Sequence, residues 1–173
     1  KKDSWDVSLS NLGGLGTPVA KDGILYIVQQ GFYDKRSGNR QEGTLRQYDI
    51  FTGDLLLEQT FNAVDVPEPG VVGSPAVWGG NEEKTIVVGD YLGNIVYFRG
   101  TFPKKLVDAG GERTPITSSP TIYDNTCYIG SDSGNVYAFD LAELRITGSF
   151  KAHGKLTTSP SALKDLVVFG DDS

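Results

Sequence analysis

The sequence has one cysteine, Cys127, and one histidine, His153, among 173 residues. A lone cysteine excludes an internal disulfide. A catalytic thiol needs a histidine beside it, and His153 falls in the loop-like run Lys151-Ala152-His153-Gly154-Lys155. Cys127 stands between Thr126 and Tyr128 in a strand-like run, which reads as a small buried hydrophobe. Basic charge is also short, with 16 Lys and Arg against 22 Asp and Glu and a net charge of −6. Nucleic-acid binding needs a basic footprint, so that class is excluded. The excess of acid serves solubility. No apolar run approaches the roughly 18 residues that would suggest a membrane span. No signal-peptide pattern stands at Lys1. Helix-favouring runs are scarce.

Glycine, by contrast, is abundant. The 22 glycines are nearly twice the usual share, which is about 7%. That suits a fold with many tight turns, because glycine tolerates positive φ. Between the turns lie alternating runs of Val, Ile, Tyr and Phe, the pattern of β-strands.

These runs repeat. Thr17-Pro18, Ser74-Pro75, Ser119-Pro120 and Ser159-Pro160 open four units, and their prolines stand 57, 45 and 40 residues apart. The last two spacings match the period of about 40–45 residues of one propeller blade. The third unit is the clearest. Ser119 to Tyr123 is a first strand ended by the turn pair Asp124-Asn125, and Thr126 to Ile129 is a second. Gly130-Ser131-Asp132-Ser133-Gly134 is a hairpin turn, Asn135 to Asp140 an alternating third strand, and Ile146 to Lys151 a fourth. The second unit has strands at Ser74–Val77, Thr85–Val88, Asn94–Phe98 and Leu106–Ala109. The first has Ile24–Val28, Thr44–Asp49 and Leu55–Phe61; the last has Leu166–Phe169 and then Gly170-Asp171-Asp172-Ser173. A four-stranded sheet cannot bury both faces alone, so neighbouring blades must cover it. Val136, Ala138 and Ile95 are expected in the core between blades.

The chain therefore reads as all-β, a β-propeller of four-stranded antiparallel blades, forming a single domain over 1–173. Its units run over 17–66, 74–109, 119–152 and 159–173, with 2–9 as an outer strand carrying Trp5. Three blades look nearly whole, whereas a ring closes with about 4–8. The expectation is an incomplete ring: a fragment of a longer chain, or a half-ring that self-associates.

Ser119-Pro120 followed by Gly130-Ser131-Asp132-Ser133-Gly134-Asn135-Val136-Tyr137-Ala138-Phe139-Asp140 resembles the repeat of the quinoprotein-like (PQQ-like) propeller family, and Asp49 with Thr52-Gly53 resembles its Asp-x-x-Thr-Gly element. The resemblance covers nearly the whole chain. It implies the propeller fold and a periplasmic or extracellular location. The family holds quinone-dependent dehydrogenases and non-enzymatic proteins of the BamB type. Its fourth-strand tryptophan has a counterpart at Trp5, while Leu57, Leu106 and Phe150 stand near the other positions. The dehydrogenases carry adjacent cysteines at the cofactor, and this chain has one cysteine. Both departures favour the non-enzymatic branch, with no cofactor; pyrroloquinoline quinone with calcium belongs to the dehydrogenase alternative. A carbohydrate-active propeller is a further alternative and would need paired carboxylates across a pocket.

No catalytic or metal-binding set is assigned. Asp132, Asp171 and Asp172 lie in equivalent turns, without the spacing of a calcium loop, and read as turn-forming residues. Gly130 to Gly134 is a hairpin turn and not a phosphate loop, since no lysine follows and no helix opens there. The 57-residue spacing marks an insertion between the second and third strands of the first unit. Phe32 and Tyr33 offer apolar area there, and Lys35, Arg36 and Arg40 offer charge, a mixture suited to partner contact as well as to a solvated loop. Val66-Pro67-Glu68-Pro69-Gly70 reads as a stiff connector. The leading functional expectation is a non-catalytic module that binds a protein or cell-surface partner.

Overall fold

The alternating runs become strands, and the Gly- and Asp-rich runs become the turns between them. The computed structural model describes residues 4–6, 14–33, 36–41, 43–61, 73–80, 83–100, 102–108, 114–156 and 158–173, with residues 32, 33, 40, 61 and 102–108 through their backbone. The first blade holds β1 (Val19–Lys21), β2 (Ile24–Gln29), β5 (Gly43–Asp49) and β6 (Leu55–Phe61), paired in that order. A small hairpin, β3 (Phe32–Tyr33) with β4 (Arg40–Gln41), rises between β2 and β5. The second blade holds β7 (Ala76–Gly79), β8 (Lys84–Gly89), β9 (Asn94–Arg99) and β10 (Phe102–Asp108). The third holds β11 (Thr121–Tyr123), β12 (Thr126–Gly130), β13 (Asn135–Asp140) and β14 (Arg145–Lys151). Of the fourth, β15 (Ser161–Leu163) pairs with β16 (Leu166–Val168). All pairings within the blades are antiparallel.

Each four-stranded blade carries a register shift at one equivalent place between its third and fourth strands. Leu56, Lys104 and Thr147 are the residues stepped over on the fourth strand. An extra residue there steepens the local twist. Twisted blades then stack face to face around an axis. The first strands lie innermost, β1 beside β7, β7 beside β11 and β11 beside β15.

Two apolar cores hold the three blades together. Tyr26, Val28 and Leu45 of the first blade meet Ile86, Val88, Val96 and Phe98 of the second. Val87, Ile95 and Tyr97 meet Cys127, Ile129, Tyr137, Phe139 and Leu141 of the third. Each large side chain so buried stabilises the fold by roughly 1.5–3 kcal/mol. Ile95 and Val136 are buried, as the alternation leads one to expect. Ala138 differs: it is half-buried and lines an open groove, because only two strands of the fourth blade cover that face.

The Ser-Pro openings have a physical role. The Ser74 amide donates to Ser119 Oγ at 2.8 Å, and the Ser119 amide donates to Ser159 Oγ at 2.9 Å. Each hydroxyl thus ties its own first strand to that of the preceding blade. Gly73 sits in this seam, where an added Cβ would lie 2.3 Å from the carbonyl oxygen of Ser118. Of the expected outer strand over 2–9, residues 4–6 are described, without strand pairing. There Trp5 donates from Nε1 to the Ile50 carbonyl at 3.0 Å and packs on Tyr48 and Gly53. The connector at 66–70 lies outside the described residues.

Candidate functional site

The turns between second and third strands interlock with the connections between blades. The Ile116 amide donates to the Asp90 carbonyl, and the Asp132 amide donates to the Pro115 carbonyl. The acidic side chains are consumed in this lock. Asp90 Oδ1 accepts from the Leu92 and Asn94 amides at 2.8 Å each. Asp132 accepts from the Thr117 hydroxyl and pairs with Lys155 at 2.8 Å. Asp171 accepts from the His153 and Gly154 amides, and Asp172 from the Lys155 amide. Burial pushes the Asp90 carboxyl above the ordinary 3.8, against the hydrogen bonds that lower it. The Ser133 hydroxyl accepts from Asn135, which completes the third-blade turn. Asp171 also accepts from the Ser173 amide and hydroxyl within its own turn, as expected, whereas Asp132 and Asp172 bond to the connections between blades instead of closing their own turns. Among the described residues no three of His, Cys, Asp and Glu converge as a metal site would require.

Cys127 is fully buried, and loss of hydration pushes its thiol far above the normal range. A thiolate cannot form there at neutral pH, so the residue is packing. His153 is exposed and enters the lock through its backbone amide.

The expected insertion is a structured hairpin. The entry segment of the first blade runs antiparallel to the end of β2, through Leu15 opposite Gln29 and the Gln30 amide to the Gly14 carbonyl at 2.9 Å. β3 leaves from that point. Phe32 pairs with Gln41 and Tyr33 with Arg40, so three of the five candidate contact residues share one ribbon. Arg36 is exposed at its tip, beside Gly38 at φ 71°. Lys35 lies outside the described residues. Blades two and three replace this hairpin with the short turns at Asp90–Gly93 and Ser131–Gly134.

Beneath the hairpin lies a polar cluster that the sequence pattern did not signal. Gln29 is fully buried and accepts from Arg46 at 3.0 Å, and Arg46 pairs with Glu58. Gln30 is 2% exposed, and neither atom of its amide group has a hydrogen bond. An unsatisfied buried amide costs about 1–3 kcal/mol.

A second surface opens beside the fourth blade. A groove of about 420 Å³ is lined by Tyr128, Val136, Ala138, Phe150, Val167 and Phe169. Phe150 and Phe169 meet along its wall with ring centres 5.4 Å apart and planes tilted by 51°. Phe150 remains 56% exposed.

The sequence matches no known family description and no curated protein. Solved structures share its shape. The computationally designed Ika4 protein superposes with a TM-score of 0.64 at 16% identity, over 94% of this chain and 88% of that one. The designed Ika8 protein gives 0.62 at 16% identity, over 91% of this chain and 42% of that one. BamB from Moraxella catarrhalis gives 0.62 at 16% identity, over 90% of this chain and 40% of that one. The chain thus spans less than half the length of Ika8 and of BamB. These likenesses establish the propeller fold.

Proposed function

We propose that this chain is a non-catalytic propeller module that binds a protein partner outside the cytoplasm, with the β3–β4 hairpin as its contact. The observation that carries this reading is the hairpin itself. One blade of three extends its turn into a ribbon bearing Phe32, Tyr33, Arg36 and Arg40, which begins two residues beyond the unsatisfied Gln30. Aromatic and arginine side chains are enriched in the energetic centres of protein interfaces. The likeness in shape to BamB is in keeping with this reading and with a periplasmic or cell-surface setting. The module works without pyrroloquinoline quinone, so titration with the quinone and calcium should leave the quinone's absorbance unshifted.

The test is site-specific photo-crosslinking in the source cell. A photoreactive residue at Tyr33 should give a discrete protein adduct in the extracytoplasmic fraction. The same probe at Lys164, on the β15–β16 turn, should not give that adduct. Reversing charge with Arg36→Glu and Arg40→Glu should abolish it. Equal labelling from both positions, or an adduct indifferent to the charge reversal, would sink the assignment.

A further inference from the structure

The first and third blades turn the corner between their third and fourth strands by the same bonds. The Ile50 amide donates to the Gly23 carbonyl and the Leu141 amide to the Asn125 carbonyl, each at 2.9 Å. Asp49 Oδ1 accepts from the Phe51 and Thr52 amides, as Asp140 Oδ1 accepts from the Ala142 and Glu143 amides. The Gly53 amide returns to the Asp49 carbonyl, as the Leu144 amide returns to that of Asp140. By this register Phe51 takes the place of Ala142 and Asp54 that of Arg145. Leu56, stepped over in the pairing, takes that of Thr147.

The corner needs only the amide of Phe51, not its ring. Yet Phe51 is 82% exposed, the highest value for any large apolar side chain among the described residues, and Leu56 is 52% exposed. Ala142 and Thr147 are exposed on a blade whose first strand has a neighbour on either side, so exposure at these two places belongs to the corner itself. Leu55 corresponds to Ile146, which packs into the core between the second and third blades, and is no part of the patch. The Phe51 ring lies beside Gly23, where the third blade has Asn125. The charges differ as well. On the third blade Arg145 pairs with Glu143. On the first, Thr52 stands in the place of the glutamate and donates to Asp54, whose carboxylate forms no ion pair with a described residue. A second carboxylate, Asp6, is exposed and follows Trp5, which packs on Gly53.

We infer that this corner is a docking site for a basic segment of another polypeptide, which lays an apolar side chain against Phe51 and Leu56 and sets a lysine or arginine against Asp54. Aromatic side chains are enriched where protein partners meet. The unbalanced carboxylates attract a cationic segment and repel an anionic lipid surface. Where the third blade carries a small side chain and a closed ion pair, the first carries an apolar anchor and an open charge. The corner adjoins the start of β2 and the β3–β4 hairpin follows its end, so this contact does not depend on the hairpin or on its partner.

The test titrates the isotope-labelled chain with the peptide Lys-Leu-Lys-Phe-Lys and follows amide chemical shifts. Saturable shifts are expected over residues 50–56 and none at the matching corner, residues 141–147. Phe51→Ala copies the third blade's corner and should weaken binding about tenfold with the thermal transition unchanged. Asp54→Arg copies Arg145 and should weaken it similarly. The same peptide with glutamate in place of each lysine should leave the spectrum unchanged. Absence of shifts, shifts spread over the acidic surface and indifferent to Phe51→Ala, or equal binding of the glutamate peptide overturns the site. Phosphatidylcholine vesicles should give no shifts. Shifts with vesicles that vanish in Phe51→Ala, with none from the peptide, would make a lipid surface the occupant and overturn the assignment to a polypeptide. Crosslinking at Tyr33 reads the other end of the blade, so either reading can fail while the other stands.

Discussion

At the scale of single residues, close approach between first strands is the tightest constraint. A Cβ on Gly73 meets backbone of the next blade, which cannot rotate away, so Gly73→Ala must part β7 from β11. Overpacking of this kind costs about 1–3 kcal/mol. Gly148 has nothing within 4 Å of an added Cβ, so Gly148→Ala should be within about 0.5 kcal/mol of neutral. Urea unfolding of both variants checks the contrast. Asp90 sets a pH dependence. Its folded pKa is raised above 3.8 by burial, so the folded chain keeps a proton that the unfolded chain has released. Stability from this group therefore falls as pH rises from 3.8 through the raised value, and the penalty is complete above it. Asp49 and Asp171, both half-buried, act in the opposite sense. Asp49 is lowered chiefly by the Thr52 and Phe51 amides, and Asp171 chiefly by the Ser173 hydroxyl. Their stabilisation is present above 3.8 and is lost as pH falls through their lowered values. Asp90→Asn can still accept from the Leu92 and Asn94 amides and should remove the fall alone. Urea midpoints from about pH 3.5 to about pH 7 for both proteins isolate it, and parallel profiles would contradict the assignment.

At the scale of elements, the base of the hairpin allows stability and contact to be tested against each other. Gln30→Leu removes an unsatisfied amide and should leave stability unchanged or raise it by about 1 kcal/mol. Under the proposed function the same change should weaken the adduct formed at Tyr33, a trade of stability against binding. A variant that loses both stability and adduct would show the amide to be a structural group. The elements themselves were largely legible. β6 begins and ends at the residues expected from the sequence, and so does β13, between the turn at Gly134 and Asp140. β10 starts at Phe102, earlier than the apolar run from Leu106, because pairing with β9 outweighs the poor propensity of Pro103-Lys104-Lys105. The ribbon of β3 and β4 was legible as an inserted loop but not as a paired hairpin, since two residues a side show no period. The repeated register shift was not legible either, because it answers to the twist of the whole blade rather than to a residue type. The polar cluster under the hairpin was hidden for a related reason. Gln29 and Gln30 are ordinary strand-end residues until the entry strand folds over them.

At the scale of the molecule, burial is uneven. The first and second blades, and the second and third, share closed apolar cores, while the outer face of β15 and β16 leaves Leu163 70%, Leu166 60% and Val168 55% exposed. Alternation explains this, because Val167 and Phe169 turn towards the third blade and Leu166 and Val168 turn away from it. A sheet face with that much exposed aliphatic surface drives association, since each side chain withdrawn from water contributes on the order of 1 kcal/mol or more. The sequence left two alternatives open, a fragment of a longer chain or a half-ring that self-associates, and named no face. That face is set by where the fourth blade's two strands sit. The chain should accordingly show a mass in light scattering that rises with concentration above the 18.7 kDa monomer. The double substitution Leu166→Lys and Val168→Lys places two like charges on the face and should return it to the monomer mass. Ala138→Trp lies on β13 of the third blade, in the groove that the opposite face of β16 lines, and should not. If the lysines leave the association intact, another surface mediates it, and the exposed aliphatic side chains on β15 and β16 do not govern how the propeller meets its neighbours.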